Sequence, residues 1–287
     1  MNQNQPSQTP ALPEMPELWQ QTLGWQPTPI QQAQFQQLYE QVLAGNRQFN
    51  LTRITDPAEF WEKHLWDSLR GVRRFLEKAE GSTQHLDSIQ NSKFKIQNSP
   101  PHTSHPTPHT PHPTSYTVID IGTGAGFPGM AVAIAQPTWN LTLLDATRKK
   151  IQFLDHLLDF LEIPNGRTWV DRAESVGQNP NHRQSYDVAL VRAVAAAPIC
   201  AEYALPLVKI GGTAVLYRGQ WTDSETIALE PVVNHLGGTI EAIEAFKTPL
   251  TGGDRHCLYL KKIAPTPPEF PRADRHSNPK TTWRSQC

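Results

Sequence analysis

The sequence predicts an α/β protein in which a doubly wound, mostly parallel sheet follows an N-terminal helical extension. Three observations predict it. From Tyr116 onward, short runs rich in β-branched residues alternate with helical patterns, as βαβ units require. The first of these runs, Val118-Ile119-Asp120-Ile121, leads into a glycine-rich stretch from Gly122 to Gly129 that opens a helix. Upstream, apolar residues recur at helical spacing in two segments.

Taken in order, residues 1–13 are rich in Gln, Asn and Pro and are expected to form a disordered tail. Residues 14–78 are read as N-terminal helices. Phe35, Leu38, Tyr39, Val42 and Leu43 share a face after Pro29, and Trp61, Leu65, Leu69, Val72 and Leu76 share another after the capping-box arrangement Asp56-Pro57-Ala58-Glu59. Residues 79–116 show no periodicity and contain the run PPHTSHPTPHTPHPTS, so they are read as a low-complexity His/Pro-rich insertion. Its His102, His105, His109 and His112 raise metal binding as an alternative, but proline at this density favours extended backbone and the run lacks carboxylates. A disordered linker is the better reading, and no metal is expected.

Residues 117–264 form the α/β domain. Strands are expected at Thr117 to Ile121, Asn140 to Asp145, Arg167 to Val170, Tyr186 to Val191 and Thr213 to Arg218. Helices are expected after Pro128, up to about Ile163, near Ile199 to Leu205 and around Glu225 to His235. Thr239 to Phe246 and His256 to Ile263, joined by Thr251-Gly252-Gly253-Asp254, read as a closing antiparallel pair. Residues 265–287 carry proline and charge without period and are expected to be a second disordered tail.

Composition narrows the function classes. The 26 prolines in 287 residues are about 9%, against a usual usage of about 5%, and the mean hydropathy of -0.51 fits a core diluted by polar segments. Cys200, Cys257 and Cys287 are odd in number and lack metal-ligand spacing, which argues against a disulfide framework and fits a reducing cytoplasm. The start MNQNQPSQTP has neither the basic nor the apolar region of a secretory signal, and the richest apolar stretch, Val188 to Val208, is interrupted by Arg192, Pro198 and Glu202. No membrane partner is expected. A net charge of -1 gives no global footprint for nucleic acid, so such a partner must be argued locally.

The glycine loop has two functional readings. Gly124, Gly126 and Gly129 spell GxGxxG, and Asp145 follows Gly124 by 21 residues, as a dinucleotide site requires. An NAD-dependent oxidoreductase is therefore a rival. Asp120 at the mouth of the first strand, where it could accept from an ammonium group or water, is instead a register typical of S-adenosylmethionine sites; a pyrophosphate would not welcome it. A third possibility is that the glycines serve only a tight turn. Under either cofactor, Asp145 accepts from ribose hydroxyls. Arg148, Lys149 and Lys150 open the next helix, where the macrodipole disfavours cations, so they face either solvent or phosphates. Asp171-Arg172-Ala173-Glu174 lies where an adenine edge is expected, and Arg192-Ala193 ends a central strand in the ligand crevice. Between Arg47 and Lys78, seven basic residues face five acids, a modest surplus. His64 and Asn50 there divide between a packed or capping role and contact with a base.

These residues resemble the small-subunit (16S) ribosomal RNA guanine-N7 methyltransferases, the glucose-inhibited division protein B family, which have the class I S-adenosylmethionine-dependent methyltransferase fold. The resemblance runs from about Phe35 to Lys262, interrupted by the insertion. It rests on Asn50-Leu51-Thr52, His64-Leu65-Trp66-Asp67-Ser68-Leu69, Asp120 to Gly129, Arg172-Ala173-Glu174 and Arg192-Ala193. It implies a cytoplasmic enzyme that methylates N7 of a guanine in 16S ribosomal RNA, free or within the small ribosomal subunit. The cofactor positions it implies are Gly122, Phe127, Asp145, Ala146, Thr147, Ala173, Glu174 and Arg192. Asn50, Arg53, His64, Arg148, Lys149, Lys150 and Arg218 are the expected RNA contacts. Arg218-Gly219 departs from the family's usual lysine before glycine, which keeps the charge and changes the donor geometry. Guanine N7 carries a lone pair and no proton, so no catalytic base is expected, and a non-catalytic RNA-binding protein is the other alternative.

Overall fold

The computed structural model describes residues 9–76 and 115–272. Seven strands, β1 (Thr117–Ile121), β2 (Asn140–Asp145), β3 (Gly166–Val170), β4 (Tyr186–Arg192), β5 (Val208–Arg218), β6 (Gly238–Lys247) and β7 (Asp254–Lys262), form one sheet in the order β3-β2-β1-β4-β5-β7-β6. The first five pair in parallel; β7 runs antiparallel to both β5 and β6. β1 and β4 are buried along almost their whole length because helices cover both faces, which explains their near-continuous apolar runs. Ile121 pairs with both Leu144 and Val191, so β1, β2 and β4 end at one level. Ligands of open α/β sheets bind at that edge. The dinucleotide-binding order 3-2-1-4-5-6 has no antiparallel strand inserted before the last one.

The helices divide the core in two. α5 (Gly129–Ala135) and α6 (Arg148–Phe160) pack on one face with the N-terminal helices; α7 (Ala173–Gln178), α8 (Ala197–Ala204) and α9 (Asp223–His235) pack on the other. Of the N-terminal helices, α2 (Pro29–Phe49) starts at a full capping box between Thr28 and Gln31. The same Gln31 side chain donates to the Ile134 and Ala135 carbonyls at the end of α5, and Gln34 donates to the Leu161 carbonyl beyond α6. Polar side chains on α2 thus satisfy the orphan carbonyls of the helices it covers.

Three sequence expectations change. The capping box at Asp56 is only half formed: Asp56 accepts from the Glu59 N–H, while Glu59 pairs with Lys63 at 2.8 Å. The helix it opens is α3 (Pro57–Phe60), one π-helical stretch (Trp61–Trp66) and α4 (Asp67–Val72), and it is buried nearly all round rather than on one face. Gly71 there admits Tyr217, whose ring a Cβ would meet at 2.2 Å. The folded part also reaches further into both tails than composition suggested. Leu12 is buried and its N–H donates to Gln36, ahead of α1 (Pro16–Leu23), whose Trp19 is fully buried. Beyond residue 265, Phe270 is buried, Arg183 donates to the Thr266 and Phe270 carbonyls, and Arg272 pairs with the buried Glu202 at 2.7 Å. Isolated apolar residues without periodicity gave no sign of this docking. The insertion as far as residue 114, with its four histidines, and the outer parts of both tails lie outside the described residues, whereas Tyr116, read as the insertion's last residue, is buried against Trp139 and belongs to the folded domain.

Candidate functional site

Two clefts open at the carboxyl edge of the sheet, one on each side of the segment that leaves β4. The first, about 400 Å³, lies over the ends of β1 and β2 and is lined by Ile121, Gly122, Leu144, Asp145, Ala146, Asp171 to Glu174, Val194, Ala195, Ile199 and Tyr203. Gly122 sits at φ +70°, and a Cβ there would meet Val194 at 2.6 Å, so this wall closes only around glycine. The Asp145 carboxylate is held by its own loops: Oδ2 accepts from the Gly124 N–H at 3.0 Å and Oδ1 from the Thr147 N–H at 2.8 Å. Each oxygen keeps a further lone pair at the cleft wall, the acceptor geometry that a vicinal diol needs. Glu174 accepts from the Tyr203 hydroxyl at 2.7 Å, which fixes the opposite wall.

The glycine loop itself decides between the two cofactor readings. Gly122 and Thr123 donate to the Leu144 carbonyl, Gly124 to Asp145, Gly126 and Phe127 to the Thr123 carbonyl, and Gly129 to Asp120. These amides are spent inside the protein, so the loop is no cradle for a pyrophosphate, and the dinucleotide reading loses the feature that suggested it. Asp120 serves the same loop. It is fully buried: its Oδ2 accepts from the Thr123 hydroxyl at 2.6 Å and the Gly129 N–H at 2.8 Å and ties the loop down, while its Oδ1 is buried without a hydrogen-bond partner among the described residues. Burial pushes its carboxyl up to about 6, against the hydrogen bonds from Thr123 and Gly129.

The second cleft, about 460 Å³, lies between the N-terminal helices and the ends of β4, β5 and β7. It is lined by Ile54, Lys63, His64, Asp67, Arg192, Ala193, Tyr217, Arg218, Gly219 and Arg255. Arg192 is its centre. Its guanidinium donates to the Lys63 carbonyl at 2.9 Å and Asp67 Oδ2 at 3.1 Å, and approaches His64 Nδ1 at 3.4 Å. That donor leaves the His64 proton on Nε2, which donates to the Thr52 hydroxyl at 2.8 Å. Burial, then the charges of Arg192 and Lys63, push His64 down to about 3, so the ring is neutral. One of its faces stacks on Phe127, with centroids 4.4 Å apart and planes 10° apart. Ala193 has a positive φ of 56°, a strained turn that sends Arg192 into the second cleft and Val194 into the first.

Of the expected cofactor positions, Gly122, Asp145, Ala146, Ala173 and Glu174 line the first cleft together. Phe127, Thr147 and Arg192 do not. Phe127 is buried behind His64, Thr147 contributes its N–H to Asp145, and Arg192 belongs to the second cleft. The Phe127 ring is stacked on His64 and buried, so it presents no open face to a ligand. Of the expected RNA contacts, only His64 and Arg218 line the second cleft. Asn50 is the exposed C-cap of α2 at φ 49°, its capping reading. Arg53, Arg148 and Lys149 are exposed, while Lys150 turns back to within 3.7 Å of Asp145. Sequence reasoning gave no role to Lys63, Asp67, Tyr217 and Arg255 of the second cleft, or to Tyr203 of the first. Asp67 had a signal: it follows His64 by three residues on one helix, so the two share a face.

Among the described residues there is no group of three or more potential ligands that could hold a metal ion, and no helix is long and apolar enough to cross a membrane. Residues 31–87 and 106–258 match the GidB family, described as rRNA small subunit methyltransferase G. Proteins named ribosomal RNA small subunit methyltransferase G are similar along most of the chain. The Trichormus variabilis protein is 56% identical over 92% of this chain and 96% of its own, and the Synechococcus elongatus protein 48% identical over 88% and 91%. Among solved structures, M. jannaschii TYW2 in complex with AdoMet is 11% identical, with a TM-score of 0.43 over 52% of this chain and 70% of that one. The chain belongs to the GidB family of rRNA small subunit methyltransferases, and its seven-stranded sheet with β7 reversed is that of the class I S-adenosylmethionine-dependent methyltransferases.

Proposed function

We propose that this protein transfers a methyl group from S-adenosylmethionine to N7 of a guanine in 16S ribosomal RNA, in the cytoplasm. The observation that carries the reading is the pair of clefts separated by residues 192–195: one offers a ribose acceptor and no phosphate cradle, the other is bordered by four cations. S-adenosylmethionine supplies an electrophilic methyl carbon on a sulfonium. Asp145 would hold the ribose hydroxyls, with the Gly124 and Thr147 amides keeping its carboxylate in place. Gly122, Ala146, Ala173 and Glu174 would form the walls, and Phe127, Thr147 and Arg192 would support them from behind.

In the second cleft Lys63, Arg218 and Arg255 would neutralise phosphates beside the target base, with Asn50, Arg53, Arg148 and Lys149 as outer contacts. The guanine would enter unstacked, as sequence-specific RNA recognition usually requires. Its N7 lone pair needs no general base, which fits a His64 that is neutral and already committed to Thr52 and Arg192. The rate would come from aligning nitrogen, methyl carbon and sulfur in a site that excludes water. The family match passes over residues 88–105, which supports reading that part of 79–116 as an insertion onto the catalytic fold.

The test is methyl transfer from labelled S-adenosylmethionine to small-subunit RNA from a strain lacking the enzyme. The expected product is 7-methylguanosine at one site, with no uptake by RNA from the parent strain. Tight RNA binding without any transfer would favour a non-catalytic RNA-binding protein.

A further inference from the structure

Among the described residues, Asp67 is the one carboxylate that lines the second cleft, beside Lys63, Arg192, Arg218 and Arg255. Its residue is 7% exposed, and its two oxygens differ. Oδ2 accepts from Arg192 at 3.1 Å, whereas the closest charged partner of Oδ1 is Arg255 Nε at 4.0 Å, beyond hydrogen-bond range. A cleft that only gathered phosphates would gain nothing from a carboxylate. Burial works against its charge strongly enough to raise its pKa despite both arginines. An acceptor left open in such a place suits a ligand that brings donors.

Among the four standard bases, guanine alone presents two adjacent donors, N1–H and the 2-amino group, on its Watson–Crick edge, and its N7 lies on the other edge. Adenine would set its N1 lone pair against the carboxylate. We infer that Asp67 is the residue that selects guanine: its Oδ1 and the second lone pair of Oδ2 accept from N1–H and the 2-amino group, leaving N7 to face the first cleft. The inference rests on the guanine-N7 reading above and names the specificity element of that same site.

The experiment replaces the guanine that the wild-type enzyme methylates by inosine, which keeps N7 and N1–H and lacks the 2-amino group. Wild-type kcat/KM should fall about tenfold or more on the inosine RNA, the effect of one charge-assisted hydrogen bond. In Asp67→Asn the amide oxygen is taken by Arg192 and the amide NH₂ meets the guanine donors. Activity on guanine RNA should drop, and the guanine-to-inosine ratio should fall to about one or below; Asp67→Glu should retain the preference. Calorimetric binding of S-adenosylhomocysteine confirms that each variant is folded. Equal wild-type rates on the two RNAs overturn the inference without any variant. A slow Asp67→Asn with the wild-type ratio also overturns it, and reduces Asp67 to a holder of Arg192 and Arg255. Methylation of a 7-deazaguanine acceptor as fast as guanine would overturn the N7 reading itself, which a failed inosine comparison leaves standing.

Discussion

The two clefts share an edge of the sheet but are built in opposite ways. The first is assembled from consecutive strand-to-helix turns: Gly122 directly follows β1, Asp145 ends β2 and Glu174 lies in the first turn of the helix after β3. The second draws Lys63, His64 and Asp67 from the N-terminal helices, Arg192 from β4, Arg218 from β5 and Arg255 from β7. The first is held by backbone amides, the second by charged side chains partly withdrawn from water. A ligand site made by local turns announces itself through spacing; one made by topology does not.

Breaking the link between them should have the largest effect. Arg192→Ala removes the donor shared by Lys63, Asp67 and His64 and strands a buried carboxylate. Unfolding free energy should fall by about 3 kcal/mol in denaturant titrations, and methyl transfer by about 100-fold or more as the reacting groups fall out of line. If stability holds and only cofactor affinity drops, Arg192 belongs to the first cleft after all.

Glu62 sharpens the comparison from the side of the N-terminal helices. Fully buried, it accepts from the Leu250 and Thr251 N–H groups and the Thr251 hydroxyl, fastening the turn that leads into β7 and Arg255. Burial alone would raise its pKa, but those hydrogen bonds outweigh it and the carboxyl is held below the usual range. Its contribution is therefore complete above the unfolded pKa of about 4.3 and disappears as pH falls through the lower folded value. Glu62→Gln should cost about 1 to 3 kcal/mol at pH 7, a loss that shrinks in strong acid.

His64 gives a smaller effect in milder acid. Unfolded, it takes a proton near pH 6.5; folded, only near 3. Stability should thus fall progressively as pH drops below about 6.5, and His64→Gln should flatten that part of the thermal-unfolding profile. Methyl transfer should show no ionisation of His64 between pH 6 and 8.

The smallest effect is expected at the start of α6. Replacing Arg148 and Lys149 by alanine should make the salt dependence of RNA affinity shallower by up to about 0.7 for each phosphate no longer neutralised. An unchanged slope would make this turn a solvated face. Lys150 is left in place because it lies 3.7 Å from Asp145.

The parallel strands and the glycine loop were legible because burial on both faces writes continuous apolar runs and because tight turns demand glycine. Asp145 could be read for the same reason. The contacts of Asp120 could not: only the packing shows Gly129 and Thr123 occupying its Oδ2. Arg192 was legible as a residue of the crevice but not in its direction, which depends on the positive φ of Ala193. The pairing of Asp67 with Arg192 and Arg255 joins segments more than a hundred residues apart, and no local pattern encodes it.

The division of labour between the clefts is tested most directly by measuring both affinities in two variants, Asp145→Ala and Arg255→Ala. The first should weaken S-adenosylmethionine binding about 10- to 100-fold by removing the acceptor for the ribose hydroxyls, with RNA affinity unchanged. The second should weaken RNA binding and lower its salt slope by about 0.7, with cofactor affinity unchanged. If each variant weakened both ligands equally, the two clefts would be one site, and the assignment of cofactor and base to opposite sides of residues 192–195 would be wrong.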